Sequence, residues 1–419
     1  MVMDAKSRFM PLVHNARARL AGAGFAVLGA LALAQPAAAQ SAFQTAAPSA
    51  ILVDFATGAI LFDKDSERAM APGSIVKIMT AAVVFDEIRL GKITPETPFT
   101  ISVNAWRRGG GPSGGAAMFA EVNKPYRVED LLIGALVVSG NDAAIALAEG
   151  VAGTESAFAL KMGELGASIG LTGSSFRNAT GFADPDQRTT ARDMAQLSRY
   201  IIRTYPDQYH VFAVPDIEWS KVKQRNRNTL LNAGVGADGL QMAWLKDAGY
   251  HVVGSAVQNN QRLIVAVMGA KTEKERIEEA RRLLEWGFHS FEHRQLYAAD
   301  TELGRAAVFG GDAGSVGLVA RAPVTLLMPR NSQDKIVARV TYSGPLRAPV
   351  TKGTQVATME ISRGQLKVLE VPLVTTEDVP VGSLWQRALD GAGVLVGDTA
   401  RDLGQQAMAK VQELTARKK

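Results

Sequence analysis

Residues 73–84 read Gly-Ser-Ile-Val-Lys-Ile-Met-Thr-Ala-Ala-Val-Val, so that Ser74 and Lys77 stand three positions apart at the start of an apolar helix. Residues at this spacing share one face of a helix, which brings the hydroxyl and the amine within reach of each other. Apolar surroundings disfavour the ammonium form of lysine and lower its pKa, so Lys77 can accept a proton near pH 7. The stretch therefore predicts a nucleophilic serine with a lysine base. The competing interpretation is a helix-capping serine followed by a solvated lysine.

A second polar stretch, Ser139-Gly140-Asn141, separates two predicted helices at 128–138 and 142–149. A serine in such a loop can pass a proton to a leaving group, and an asparagine amide can hold a substrate carbonyl. The same residues also suit a glycine that ends one helix and an asparagine that caps the next. The stretch indicates catalysis only in combination with the Ser74 and Lys77 pair.

The N-terminus has the layout of an export signal. A basic region is followed by an apolar segment from Leu20 to Leu33 and by Ala37-Ala38-Ala39 before Gln40. We expect residues 1–39 to be removed after export to the periplasm, and the alternative is an uncleaved membrane anchor. The basic region consists of Lys6, Arg8, Arg17 and Arg19.

Composition excludes several classes of function. The 419 residues have a formal net charge of +5, most of which lies in the leader, and no basic stripe interleaved with aromatics follows it. We therefore expect no nucleic-acid partner. The lack of cysteine excludes disulfides, a thiol nucleophile and thiolate metal sites. His289 and His293 stand four apart on a predicted helix, but a pair without a third ligand is a weak zinc signal, so we expect neither metal nor cofactor.

Residues 40–295 are predicted to form an α+β catalytic domain. Two pairs of apolar runs indicate hairpins, one around Ala56-Thr57-Gly58 and one around Gln258-Asn259-Asn260-Gln261. The glycine-rich segment 104–116 predicts a loop. Strands at both ends of the region with helices between them imply an antiparallel sheet flanked by helices. The predicted helices span 74–90, 128–138, 142–149 and 274–288.

The remainder of the chain changes character twice. From Leu296 short β-rich runs alternate with Gly, Pro and Asn, which predicts a small all-β domain over residues 296–378. Residues 379–419 regain helical periodicity and end in Arg417-Lys418-Lys419. A tail with an apolar stripe and a basic end is typical of peripheral contact with a membrane surface. The stripe includes Trp385, Leu389 and Val396.

Taken together, five stretches resemble the penicillin-binding D-alanyl-D-alanine carboxypeptidases, serine peptidases that share the fold of class A β-lactamases. The resemblance covers nearly the whole chain after the leader. The stretches are Pro72-Gly73-Ser74-Ile75-Val76-Lys77-Ile78-Met79-Thr80, Ser139-Gly140-Asn141-Asp142-Ala143, Thr190-Ala191-Arg192-Asp193-Met194, Asn226-Arg227-Asn228 and Asp247-Ala248-Gly249-Tyr250.

This resemblance implies Ser74 as the acylated nucleophile, Lys77 as its base, and Ser139 and Asn141 as the second catalytic element. The backbone N–H of Ser74 would be one donor of the oxyanion hole. The other donor is expected on the strand near Trp244.

Substrate binding is implied for a further group of residues. Arg276, which follows Gly269-Ala270-Lys271-Thr272, resembles the family's arginine near the substrate carboxylate. Arg227 is a second source of positive charge. The implied substrate is a peptidoglycan stem peptide ending in D-Ala-D-Ala, and β-lactams are the implied acylating inhibitors.

The family's third motif, Lys-Thr-Gly, is missing. Alignment leaves Gln241, Met242 and Ala243 at its register, which removes a charge and a hydroxyl and adds a methyl group where the backbone lies close to a ligand. Lys246 lies five residues on, where strand alternation directs it to the opposite face unless the chain bulges.

Two hypotheses follow from this pattern. The first is a serine carboxypeptidase that removes the terminal D-alanine of stem peptides, with activity reduced by the altered motif. The alternative is a catalytically impaired relative that binds peptidoglycan or serves as a scaffold. A β-lactamase is disfavoured because no Glu-x-x-x-Asn deacylation segment is evident.

Overall fold

The computed structural model describes residues 43–387 except 220, 331, 333, 364 and 365. The predicted signal peptide, and the predicted tail from residue 388 onward, lie outside the described residues. The chain divides into two compact units. One contains Phe43–Arg294 with Leu326–Ser332, and the other contains Gln295–Thr325 and the described residues after 333.

The first unit is built on a five-stranded antiparallel sheet in the order β2-β1-β9-β8-β7. Both predicted hairpins are confirmed, as β1 with β2 and as β8 with β9. The strands are β1 (Ser49–Asp54), β2 (Ile60–Lys64), β7 (Ala237–Leu245), β8 (Gly249–Gln258) and β9 (Gln261–Ala270). Two short two-stranded ladders accompany the sheet, formed by β3 (Pro98–Thr100) with β4 (Pro125–Arg127) and by β5 (Asp216–Trp219) with β6 (Val222–Arg225).

Helices cover both faces of this sheet because alternate strand residues point to opposite sides. Ile51 and Val53 pack into the larger core with α1 and α3 to α6, whereas Leu52 packs into the smaller core with α7. The helices are α1 (Lys77–Arg89), α2 (Val103–Gly109), α3 (Val128–Val137), α4 (Asn141–Ala152), α5 (Glu155–Ser168), α6 (Ala191–Thr204) and α7 (Glu273–Ser290). The α+β prediction is confirmed.

Two local predictions are wrong. The segment 104–116 is not a loop throughout, because α2 occupies its first part. The Ser102 side chain caps α2 by accepting from the Ala105 N–H, and the glycines begin only at Gly109. His289 and His293 do not share a helix, since α7 ends at Ser290 and His293 lies on the following strand.

The second unit confirms the all-β prediction. Its six-stranded sheet has the order β14-β16-β17-β12-β11-β15, and the described residues between Gln295 and Ser383 include no helix. A separate two-stranded ladder is formed by β10 (Phe291–Tyr297) and β13 (Val324–Pro329). The remaining strands are β11 (Glu302–Phe309), β12 (Ser315–Val319), β14 (Ile336–Tyr342), β15 (Leu346–Arg347), β16 (Gln355–Arg363) and β17 (Leu366–Thr375).

Within the described part of the chain, no single helix is long and apolar enough to cross a membrane. The consecutive helices α4 and α5 reach that length and composition only as a pair, and they are bent by 81° at their junction.

Candidate active site

Ser74 lies in a 3-10 turn, Gly73–Val76, that leads directly into α1. Gly73 has a φ of +53°, and a Cβ atom there would lie 2.6 Å from Leu245 Cδ1 and 3.1 Å from Ala243 Cβ. On the other side, a Cβ on Gly181 would overlap the Gly73 carbonyl oxygen. Glycine is therefore required at both positions, and the turn that presents Ser74 is held between β7 and the Gly181 backbone.

The amine of Lys77 is fully buried and has three hydrogen-bond partners. Its Nζ lies 3.3 Å from Ser74 Oγ, 2.8 Å from Asn141 Oδ1 and 2.6 Å from the Thr180 carbonyl oxygen. The amide oxygen and the carbonyl oxygen can only accept hydrogen bonds. They can take both N–H groups of a neutral amine, which leaves its lone pair for the Ser74 hydroxyl.

The pKa of Lys77 is lowered to about 7, mainly by burial and next by the positive charge of Arg227. Asp142 and Glu155 oppose this shift to a smaller extent. Within the described residues Lys77 forms no ion pair with a carboxylate. A substantial fraction of the amine is therefore neutral at pH 7, as a general base requires.

Ser139 and Asn141 are brought to the same place by the junction between α3 and α4. Ser139 has a φ of +59°, a left-handed backbone conformation that interrupts the helical path between α3 and α4. Its Oγ is buried and has no hydrogen-bond partner among the described residues. Asp142, which follows Asn141, accepts hydrogen bonds from the backbone N–H groups of Met118 at 2.9 Å and Ala120 at 3.2 Å. This carboxylate ties the junction to the segment that follows α2.

The loop 178–182 completes the site, and sequence reasoning missed it. Asn178 Oδ1 accepts from the Thr180 hydroxyl at 3.0 Å and from the Gly181 N–H at 2.8 Å, which shapes the loop as an Asx turn. The turn aims the Thr180 carbonyl at Lys77. The available signal was Asn178-Ala179-Thr180-Gly181, a turn composition, but nothing in it indicates which side chain the carbonyl meets.

At the register of the missing third motif, the β7 side chains serve the interior of the protein. Gln241 is fully buried, and its Nε2 donates to the Leu136 carbonyl at 3.0 Å while its Oε1 accepts from the Met242 N–H at 3.0 Å. Met242 packs into the core on the α7 side. Ala243 faces the turn that carries Ser74. This strand lies beside the site, but the described contacts occupy both ends of the Gln241 amide.

The opposite face of β7 carries an aromatic pair and an arginine. Trp244 is 61% exposed and faces Tyr250 with ring centroids 6.0 Å apart. The Arg276 guanidinium lies 5.4 Å from the Tyr250 ring centre and donates to the Ala243 carbonyl at 3.1 Å. Arg276 is 3% exposed and also contacts Glu273 at 3.3 Å, so its charge is largely engaged within the protein.

Arg227 is positioned differently from Arg276. Its backbone N–H donates to the Val137 carbonyl at 2.9 Å, directly before the Ser139 junction, and its side chain is exposed. The charge of this guanidinium acts on Lys77, as the pKa of that amine shows. Lys246 lies after the end of β7 and is exposed.

Comparisons with known proteins agree with this geometry. The D-alanyl-D-alanine carboxypeptidase family profile matches residues 35–272, and the profile of the penicillin-binding protein 5 C-terminal domain matches residues 291–381. The chain is similar to D-alanyl-D-alanine carboxypeptidase DacC of Escherichia coli, with 34% identity covering 81% of this chain and 86% of that protein. It is also similar to DacA of Haemophilus influenzae, with 35% identity covering 82% and 88% of the two chains.

A solved structure gives the same result. Penicillin-binding protein 5 from Haemophilus influenzae superimposes with a TM-score of 0.73 at 34% identity, covering 80% of this chain and 98% of that one. The helix-flanked antiparallel sheet and the all-β unit that follows it in the chain therefore belong to an architecture that this chain shares with known proteins. The chain belongs to the D-alanyl-D-alanine carboxypeptidase family of serine peptidases.

Proposed function

We propose that this carboxypeptidase acts through an acyl-enzyme on Ser74, with Lys77 as the base that activates it. The single observation behind the proposal is the buried Lys77 amine, 3.3 Å from Ser74 Oγ and without a carboxylate partner among the described residues. Burying an unpaired amine is costly, so its presence favours a catalytic role over a structural one.

The reaction proceeds in two halves. Neutral Lys77 takes the Ser74 proton while Oγ attacks the carbonyl carbon of the penultimate D-alanine, and the negative charge develops on the carbonyl oxygen. Backbone N–H groups of Ser74 and of β7 near Trp244 stabilise that oxygen. The C–N bond then breaks, and the terminal D-alanine leaves with a proton that Ser139 relays to its nitrogen. Water hydrolyses the resulting ester and regenerates the Ser74 hydroxyl.

Asn141 has a double role in this scheme. Its Oδ1 is bonded to Lys77 Nζ at 2.8 Å. The Nδ2 atom is thereby directed away from the lysine and is free to donate to a carbonyl of the stem peptide. One side chain thus orients both the base and the substrate.

We assign the substrate's terminal carboxylate to Arg227. The other polar residues near this position are engaged within the protein. Gln241, at the register of the missing lysine, donates to the Leu136 carbonyl, and Arg276 is buried against Ala243 and Tyr250. Arg227 is an exposed residue whose charge lowers the pKa of Lys77, and partial burial of its guanidinium lowers the pKa of Arg227 itself. It replaces a positive charge but adds no hydroxyl, so turnover is expected to be slower than with an intact third motif.

The experiment that tests the function uses the purified chain without residues 1–39. It is incubated with a labelled penicillin and, separately, with a peptide ending in D-Ala-D-Ala. Covalent labelling on Ser74 and release of free D-alanine support the proposal. Tight peptide binding without either product would instead favour the impaired, peptidoglycan-binding relative.

We also propose export to the periplasm and peripheral attachment to the membrane through residues 379–419. The leader composition and the apolar stripe beginning at Trp385 support this. Trp385 and the preceding Leu384 are 74% and 82% exposed. Cell fractionation of the full chain against a truncation after Asp378 tests it. Equal recovery of both from the membrane fraction would contradict attachment by the tail.

A further inference from the structure

His251 on β8 is completely buried, and both of its ring nitrogens are paired. Nδ1 lies 2.9 Å from the Gly269 backbone nitrogen, and Nε2 lies 3.1 Å from the Ala71 carbonyl oxygen. The backbone N–H can only donate and the carbonyl can only accept. These partners require a neutral ring with its proton on Nε2. Burial supports this state by lowering the pKa of His251 to about 4.

The ring occupies this place because of a β-bulge. Tyr250 pairs with Ala270 and Val252 pairs with Val267, so His251 alone faces two residues of β9. A bulge of this kind leaves one backbone group outside the ladder and redirects the side chain opposite it. Gly269, at a φ of +81°, is the second of the two facing residues, and His251 Nδ1 accepts its N–H.

The other end of the ring reaches the chain that enters the nucleophile turn. Ala71 precedes Ser74 by three residues. Upstream, Met70 and Thr189 exchange two backbone hydrogen bonds of 2.9 Å, and downstream Gly73 is packed against β7. Within the described part of the chain, no other side chain is hydrogen-bonded to the backbone of residues 71–73. His251 is thus the polar link between the central sheet and this segment.

We propose that His251 is a positioning residue for acylation: by holding the Ala71 carbonyl it sets the path of the chain into the turn, and so the approach of Ser74 Oγ to Lys77 Nζ. The inference rests on the proposed role of Ser74. The inference goes beyond that role because it predicts that a residue on β8, in contact with neither Ser74 Oγ nor Lys77 Nζ, changes the rate of acylation.

The test compares His251→Leu with His251→Gln. Leucine removes both hydrogen bonds, whereas the glutamine amide can still donate to Ala71. For each variant, stopped-flow reaction with a reporter penicillin gives the fraction of molecules acylated and the acylation rate constant per competent molecule. We expect a full fraction with a rate about ten-fold lower for His251→Leu, since small misplacements of reacting groups are costly. His251→Gln should recover most of the rate.

A purely structural role gives a different pattern. In that case His251→Leu lowers the acylated fraction and the melting temperature but leaves the rate constant of the remaining molecules unchanged, which would overturn the proposal. His293→Leu is the control for lost stability, because it removes a 2.7 Å contact with the buried Asp54. It should keep the wild-type acylation rate.

If His251→Leu does not fold, the proposal is tested on the wild-type protein by NMR. Its ¹⁵N-histidine spectrum should show the Nε2–H form of His251 at pH 7, and these signals should shift when penicillin acylates the enzyme. Signals that stay unchanged on acylation would overturn the proposal. Peptide mapping of the labelled wild type reports separately on whether Ser74 carries the acyl group, so failure of the proposed function is distinguishable.

Discussion

The site has an α1 side and a β7 side, and the buried polar groups on these two sides have different partners. On the α1 side, the buried Lys77 amine is hydrogen-bonded to Ser74, Asn141 and Thr180, and no carboxylate among the described residues forms an ion pair with it. On the β7 side, the buried Gln241 amide is satisfied by the backbone of Leu136 and Met242.

This contrast separates chemistry from packing. A buried amine without an ion pair destabilises the fold relative to an apolar residue, so the α1 side retains an arrangement that stability alone does not favour. A buried amide with both ends bonded carries no such penalty. At the register of the third motif, Gln241 and Met242 on β7 are therefore packed as ordinary core residues, while the α1 side keeps a buried amine beside a serine hydroxyl, as the proposed nucleophile and base require.

The largest effect is expected from Ser74→Ala, which tests the α1 side directly. Loss of the only proposed nucleophile should abolish penicillin labelling and D-alanine release. The Ser74 side chain makes no helix-capping hydrogen bond, so the variant should fold. Mass spectrometry of the labelled protein is the measurement. Ser198→Ala, which removes a buried serine hydroxyl from α6, should label normally. Substantial labelling of Ser74→Ala at another residue would show that the nucleophile is misplaced.

The second-largest effect is expected from acidification, which should slow acylation by protonating Lys77. Lys77 has a pKa of about 7, and only its neutral form can take the serine proton. The acylation rate should therefore be near its plateau above pH 8 and fall as the amine is protonated. At pH 5, two units below the pKa, only about 1% of the amine is neutral, so the rate should drop roughly a hundred-fold. Stopped-flow acylation between pH 5 and 9 measures this, with circular dichroism as a check on folding. A flat profile would exclude Lys77 as the base.

Restoring the third motif should make the β7 side functional. Replacing Gln241, Met242 and Ala243 together by Lys, Thr and Gly restores the charge and the hydroxyl of the family's motif on the strand that packs against the Ser74 turn. A charge-assisted hydrogen bond is worth about 1.5 to 3 kcal/mol, so D-alanine release should rise roughly ten- to a hundred-fold. The gain must disappear when Ser74→Ala is added. A normally folded triple variant with unchanged rates would mean that this register is not the third motif.

The smallest expected effect concerns the charge that we assign to substrate binding. Arg227→Gln should lower kcat/KM about ten-fold for a peptide with a free terminal carboxylate, by loss of one charge-assisted bond. A peptide with an amidated end should be affected little. Arg225→Gln, at an exposed arginine two residues earlier, is the matched control. If Arg227→Gln slows both peptides equally, the arginine acts through the pKa of Lys77 and not on the carboxylate. If Arg276→Gln instead lowers kcat/KM only for the peptide with the free carboxylate, then Arg276 on α7 binds the carboxylate.

The predictions from sequence succeeded where structure is local. The spacing of Ser74 and Lys77 places them together through one turn of chain, and the two hairpins follow from short runs around polar turns. The prediction of a loop at 104–116 was wrong because the glycine content of the whole segment was used, although the glycines occupy only its later part. The first residues of that segment form α2, capped by Ser102.

The sequence by itself determined the pairing of Ser74 with Lys77, the polar junction at Ser139, the family and the altered third motif, since each depends on short stretches of consecutive residues. Only the tertiary structure decided what surrounds them. The Thr180 carbonyl reaches Lys77 across 103 residues, and His251 reaches Ala71 across 180. Such contacts depend on how a loop packs against α1 and how a bulged strand packs against the segment that precedes it. The same packing decides that Gln241 faces Leu136 and that the Arg276 charge is engaged while Arg227 is exposed, because burial and hydrogen-bond partners arise only once the distant segments come together.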